Sequence, residues 1–329
     1  MNYILLIIGF FLLIKGADIF VDGASGISKK LGIPSVIVGL TIVSLGTSAP
    51  ELAVSIVSSI QGSNEIAVGN VLGSNIFNTL MVLGVTLIIM PLIIKKSTIK
   101  KDFFINIAVT TVFLFLTFDG ILFGKENSIS RFDGVILLTG CILYIAFLIW
   151  TVKKGKGNAI EDITAEAAIE KESQEGVNIP KSIMRLVIGA VGIVIGGKIV
   201  VNSASSIATA WGMSDKLVGL TIVAMGTSLP ELITSAMAAL KGEEEMALGN
   251  ILGSNIFNIL LIIGASSVIS PMLVSSTLIV DFIFLISVTI LIGILIFAHK
   301  GKEKKLGRFE GIIFVLLYIG YMIFIILRN

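Results

Sequence analysis

Apolar runs of twenty or more residues recur along this chain, each separated from the next by a short charged or turn-forming break. A run of that length is enough to cross a hydrocarbon core of about 30 Å as a helix. Helix is the expected state, because a spanning backbone must satisfy its own hydrogen bonds and the runs lack the alternation of a membrane barrel. With 55% hydrophobic residues, 14% charged and a mean hydropathy of +1.02, the chain is too apolar for a soluble bundle, in which every helix would show a polar face. The chain therefore reads as an all-α polytopic membrane protein. The first run has no basic stretch before it and no small-residue cleavage site after it, so it reads as a span and not as a signal peptide.

Ten segments emerge, at roughly 2–27, 34–60, 66–94, 103–124, 132–152, 183–208, 214–240, 246–273, 279–299 and 309–327. Alternating sides along these ten places 18 Lys/Arg on one face and 4 on the other. The richer face is the expected cytoplasmic one, which puts both termini outside a cell membrane. Residues 153–182, on the cytoplasmic face, read as a solvated linker, with a short surface helix around Ile160 to Ile169 or an acidic cation-sensing patch as alternatives. Cys141 lies mid-span, reads as a packing residue, and as the single cysteine excludes an intrachain disulfide.

The chain repeats itself at an offset of 180 residues. "GLTIVSLGTSAPEL" at 39–52 matches "GLTIVAMGTSLPEL" at 219–232 in 11 of 14 positions, and "GNVLGSNIFNTL" at 69–80 matches "GNILGSNIFNIL" at 249–260 in 10 of 12. "RFDG" at 131–134 returns as "RFEG" at 308–311. Five spans per half is an odd number, so the second half, 183–329, enters the membrane from the side opposite to the first, 1–152. Halves so related bind ligands near the midplane, where they meet.

The best-matched residues are polar. Ser44, Thr47, Ser48, Glu51, Ser55 and Ser58 advance by three and four residues, along one helix face, and Asn70, Ser74 and Asn78 by four. Thr227, Ser228, Glu231, Thr234 and Ser235 repeat the first stripe, and Asn250, Ser254 and Asn258 the second. Pro50 and Pro230 lack an N–H and crowd the preceding turn, which releases carbonyls near Gly46, Thr47, Gly226 and Thr227. Oxygens of this kind suit a hard cation such as Ca²⁺ or Na⁺. The absence of Cys and His from the stripes disfavours a soft metal. Glu51 and Glu231 balance one divalent cation or two monovalent ones, and a proton is a third candidate.

Several polar residues have plainer readings. The glycines of "GNVLG" and "GNILG" fit close helix packing as well as ligation. Asn75 and Asn255 lie off the stripe and are expected to bond neighbouring helices. Asp18 is expected to pair with Lys15 and not with its repeat-mate Lys198, and Asp22 to face a vestibule. Glu243 to Glu245 are expected to favour a helix N-terminus, and His299 to mark an interface.

The paired "GTSxPE" and "GNxxGSNxxN" motifs resemble the α-repeats of the cation/Ca²⁺ exchanger superfamily, most closely the prokaryotic sodium/calcium exchangers. The resemblance implies a non-enzymatic, alternating-access antiporter of ten helices in which the first and sixth spans slide against the rest. Carried across, it makes Glu51 and Glu231 the Ca²⁺ ligands with the carbonyls of Thr47 and Thr227. It assigns Ser48, Ser74, Ser228 and Ser254, with carbonyls at Ser44 and Ala224, to flanking Na⁺ sites, and centres Asn78 and Asn258. Relatives with Asp at one central position are associated with K⁺ co-transport, and both positions are Asn here. Proton-coupled relatives carry an acidic residue within the GN motif, where this chain has none. H⁺/Ca²⁺ antiport and a passive cation channel are the alternatives. Expected partners are Ca²⁺, Na⁺ and, in one alternative, H⁺, with the lipid bilayer. No nucleic acid, organic cofactor or obligate protein partner is implied.

Overall fold

The apolar runs do close their hydrogen bonds on themselves. The structure is a computed structural model, and it describes residues 1–62, 64–123, 126–158, 178–213, 224–298, 301 and 303–328. Helix α1 (Asn2–Leu31) ends where Gly32 adopts φ 59°, a left-handed cap that lets Pro34 launch the next element at once. Helices α2 (Ser35–Thr47) and α3 (Ala49–Ile60) meet at a 48° bend. Helix α4 runs from Asn64–Phe77 through a π-helical turn, Asn78–Val82, into Leu83–Ile89. Helices α5 (Lys96–Phe123) and α6 (Arg131–Asn158) complete the first set. The second comprises α7 (Ile179–Ala210), a single turn Ala224–Gly226, α8 (Leu229–Leu240), α9 (Glu244–Ile269), α10 (Ile279–Phe297) and α11 (Arg308–Arg328).

Among the described residues eight helices are long and apolar enough to cross a membrane, or nine if α2 and α3 form one bent span. The expected seventh span, 214–240, is described from residue 224 on, as the turn and the short α8. The 160–169 segment and His299 lie outside the described residues.

Helices α1 and α7 lie flush against each other. A Cβ on Gly16 would sit 2.7 Å from the Ile193 nitrogen, on Gly23 2.7 Å from the Leu186 nitrogen, and on Gly196 2.5 Å from the Leu13 nitrogen. The order of these pairs makes the two helices antiparallel, with small residues letting the backbones touch. Their outer face is apolar and open, with Ile7 70%, Phe11 62% and Val187 58% exposed, as lipid-facing side chains should be.

Two short ribbons were not expected. Strand β1 (Leu92–Lys95) pairs antiparallel with β4 (Glu303–Leu306), and β2 (Ser128–Ile129) with β3 (Met272–Leu273). The expected spans 66–94 and 246–273 therefore stop short, as helices, at Ile89 and Ile269. Each ribbon joins one strand from each half, and each joins loops that the charge count puts on the same face.

Near the ribbon β2–β3 face, Asp281 is buried and held by the Tyr321 hydroxyl at 2.9 Å and by Arg328 at 2.9 Å. Asp102 and Tyr144 repeat the first contact at 3.1 Å in the other half, where the Thr151 hydroxyl is committed to the Phe147 carbonyl. Removing the guanidinium strands a buried carboxylate, so Arg328→Met should cost about 3 kcal/mol. A thermal melt in detergent should fall by several degrees and recover in part when Asp281→Asn is added. An unchanged melt would show that the pair contributes nothing.

Candidate functional site

Pro50 stands in the first turn of α3, so the Gly46 carbonyl loses the N–H it would otherwise bond. Ser48, at φ −81° and ψ 8°, is the joint between α2 and α3. Pro230 and Ser228 (φ −92°, ψ 5°) occupy the same places at the start of α8. Glu51 and Glu231 consequently fall in the first turns of α3 and α8, where free backbone N–H groups favour a carboxylate. Both glutamates are fully buried.

Each carboxylate is held by a serine of the other half. The Ser48 hydroxyl donates to Glu231 Oε1 at 2.8 Å, and the Ser228 hydroxyl to Glu51 Oε1 at 2.9 Å. Because Ser48 lies one turn before Glu51, and Ser228 one turn before Glu231, the crossed bonds bring the two carboxylates into one cluster. Ser228 also meets Ser74 at 3.0 Å, and Ser254 reaches Glu231 Oε1 at 3.5 Å.

A second crossed layer flanks the first. The Thr47 hydroxyl donates to Asn250 Oδ1 at 3.2 Å, whose amide donates to Ser235 at 2.9 Å. Thr227 donates to Asn70 Oδ1 at 3.4 Å, whose amide donates to Ser55 at 3.1 Å. The stripes contain Asn70, Asn250, Ser55 and Ser235, but their place beside the site was not foreseen. The identity of both copies was the available signal. Asn75 and Asn255 do bond neighbouring helices, to the Asn255 carbonyl at 3.1 Å and to Thr79 at 2.9 Å.

Asn78 and Asn258 each open a π-helical turn, at Asn78–Val82 and Asn258–Ile263. Such turns re-aim the polar side chain at one point of an otherwise regular helix. The Asn258 amide donates to Asn75 at 3.0 Å. Among the described residues, Glu51 Oε2, Glu231 Oε2, Asn78 Oδ1 and Asn258 Oδ1 are buried acceptors with no hydrogen-bond partner. A buried acceptor left so costs about 1–3 kcal/mol, and more if charged. Two carboxylate and two amide oxygens are thus left unsatisfied, and the π-helical turns that carry the amides pack against α8 and α3, which carry the carboxylates. Oxygens of this kind suit a hard cation.

The candidate carbonyls differ between halves. The Ser44 carbonyl accepts the Ser48 N–H at 3.0 Å and the Thr47 hydroxyl at 3.3 Å, so it is engaged within its own helix. The Ser228 N–H donates to the Met225 carbonyl at 3.2 Å, one residue on from the corresponding Ala224. The expected pairing of Asp18 with Lys15 is present at 3.6 Å, but its tighter partner is Lys241 at 2.7 Å. Asp22 also binds Lys241 while its side chain stays 45% exposed.

The family model described as sodium/calcium exchanger protein matches residues 1–152 and 181–327. The chain is 38% identical over 318 residues to a putative antiporter, CaxA, of Alkalimonas amylolytica, covering 97% of this chain and 96% of that protein. It is 33% identical to the sodium/calcium exchanger MaX1 of Methanosarcina acetivorans, over 98% of this chain and 97% of the relative. The solved structure of the sodium/calcium exchanger from Methanococcus jannaschii superposes with a TM-score of 0.79 at 31% identity, covering 98% of this chain and 97% of that one. With a matching family model over both halves and full-length relatives above 30% identity, the chain belongs to the sodium/calcium exchanger family, a family of membrane transporters and not of enzymes.

Proposed function

We propose that this chain is a secondary antiporter that exchanges Na⁺ for Ca²⁺ across the cell membrane by alternating access. Its frame is ten spanning helices in two inverted halves, residues 1–152 and 183–329, joined by a cytoplasmic linker at 153–182, with both termini outside. The observation that carries the reading is the set of four partnerless buried oxygens, from Glu51, Glu231, Asn78 and Asn258, with the two carboxylates held by crossed serine bonds. Two carboxylates supply the charge that balances one Ca²⁺ or two Na⁺ at bilayer depth. Empty, the site would carry two bare carboxylates in low dielectric, which disfavours return without a load.

Glu51 and Glu231 are the shared ligands, with the Thr47 and Thr227 carbonyls completing the Ca²⁺ site. Ser48, Ser74, Ser228 and Ser254, whose hydroxyls already meet the carboxylates or each other, contribute to flanking Na⁺ sites with the Ser44 and Ala224 carbonyls. Engagement of the Ser44 carbonyl within its helix means that the Na⁺ site on that side forms by a local shift of the α2 end. Asn at both 78 and 258 leaves no third carboxylate for K⁺.

The test is purified protein in liposomes. An imposed outward Na⁺ gradient should drive Ca²⁺ uptake, while a pH gradient alone should not. Uptake driven by pH would assign the protein to proton-coupled exchange, and flux indifferent to both gradients would make it a channel.

A further inference from the structure

Among the described residues, the α1/α7 pair is gripped on one side by a row of ion pairs and hydrogen bonds. Asp18, Asp22, Ser25 and Lys29 advance along one face of α1, and all four turn to the hairpin between α8 and α9. The Lys241 ammonium meets Asp18 Oδ1 at 2.7 Å, the Asp18 carbonyl at 2.8 Å, and the Asp22 carboxylate. Glu243 accepts from the Ser25 hydroxyl and faces Lys29 at 3.5 Å. Gly242, at φ 76°, makes the tight turn that aims both side chains at α1.

The same hairpin is tied to the ribbon behind it. Glu244 accepts the Ile93 N–H at 2.6 Å, and Glu245 pairs with Lys95 at 3.6 Å. It thus bridges the α1/α7 pair to the β1–β4 face.

The repeat supplies an internal control. An offset of 180 residues maps the four α1 positions to Lys198, Asn202, Ser205 and Thr209 on α7, and Lys241 to Gln61. Lys198, Asn202, Thr209 and Gln61 are exposed, and Ser205 Oγ has no partner among the described residues. Helix α1 packs along α8, whereas among the described residues α7 makes no comparable seam with α3. Desolvation works against the Lys241 ammonium, but Asp18 and Asp22 outweigh it and hold its pKa above the usual lysine value. The contact therefore stays charged at physiological pH and answers to helix movement, not to protons.

We propose that Lys241, seconded by Glu243, is a positioning residue that latches α1 to the α8–α9 hairpin, closes the site on the β1–β4 face, and makes the opposite face the one open at rest. The latch presupposes the alternating-access reading given above. Its charges must separate before the site opens on the β1–β4 face. In an otherwise pseudo-symmetric molecule this contact sets the ratio of the two orientations.

Wild type, Lys241→Met, Lys241→Arg and Asp22→Asn are compared in liposomes, with Ca²⁺ half-saturation measured separately from each face. Lys241→Met should raise apparent affinity on the β1–β4 face and lower it on the other, changing their ratio by about fivefold or more. Lys241→Arg should keep the wild-type ratio, and Asp22→Asn should fall between. Equal change on both faces, or none, would overturn the latch, because a purely structural contact has no sidedness. Amide hydrogen exchange on the same proteins needs no transported ion. In Lys241→Met, residues 18–29 should exchange faster and residues 203–212 slower. Failure of wild-type exchange under a Na⁺ gradient would sink the antiport reading alone, whereas an unchanged exchange pattern would sink the latch alone.

Discussion

Glu51→Gln should abolish Na⁺-driven Ca²⁺ uptake while leaving the protein folded. Glutamine keeps the shape and still accepts from the Ser228 hydroxyl, which lies 2.9 Å from Glu51 Oε1. The lost negative charge is what matters. At 4 Å and an effective dielectric near 20, one unit pair is worth about 4 kcal/mol, and a divalent ion doubles it. Even if reorganisation cancels most of that, a residual of about 2.8 kcal/mol is a hundredfold in affinity. Ca²⁺ half-saturation in the liposome assay should rise by at least about a hundredfold, and Glu231→Gln should do the same from the other half. The melting temperature should hold or rise, since a buried charge has been removed. Uptake that survives either substitution would move the ion site away from this cluster.

Gly249→Val should be the most damaging substitution outside the ion site. A Cβ at Gly249 would run into the Val36 carbonyl oxygen and lie 3.0 Å from the Leu40 nitrogen. Gly39, across the same contact, would meet the Met246 carbonyl. The obstructing atoms are backbone, so no rotamer change relieves the clash, and α2 and α9 must separate. Overpacking a tight interior costs about 1–3 kcal/mol, and a rigid backbone obstacle sits at the top of that range. The separation would also strain the Thr47–Asn250 bond beside the carboxylates. Expected results are a melt lowered by several degrees and weaker Ca²⁺ binding in the residual folded protein. A variant with wild-type melt and affinity would mean that α2 and α9 have slack at this contact.

The spans were legible because lipid leaves a backbone few options: an apolar run of this length closes on itself as a helix. The stripes were legible because oxygen-bearing side chains at steps of three and four share a face whatever the neighbours do. The ribbons were not, since "LIIK" and "PML" simply extend their apolar runs, and nothing local says that "EKKL" or "SI" will pair with them. The same holds for the π-helical turns at Asn78 and Asn258, which shift the helical phase without any proline or glycine at that point. Glu243 to Glu245 looked like helix-start charges, which they are, but each also reaches another segment. Lys241, one residue past a helix, carried no local signal at all.

By itself the sequence determined the kind of protein, the duplication, and the polar stripes within the apolar runs. Each of those follows from spacing within one segment or from likeness between two. Only the tertiary structure decided the crossings, in which Ser48 serves Glu231, Ser228 serves Glu51, and Lys241 holds Asp18. Those contacts join residues 177 to 223 positions apart. Their existence depends on how antiparallel and parallel helices meet across the two halves, where pairing is set by packing and charge in three dimensions and leaves no periodicity in the chain to read.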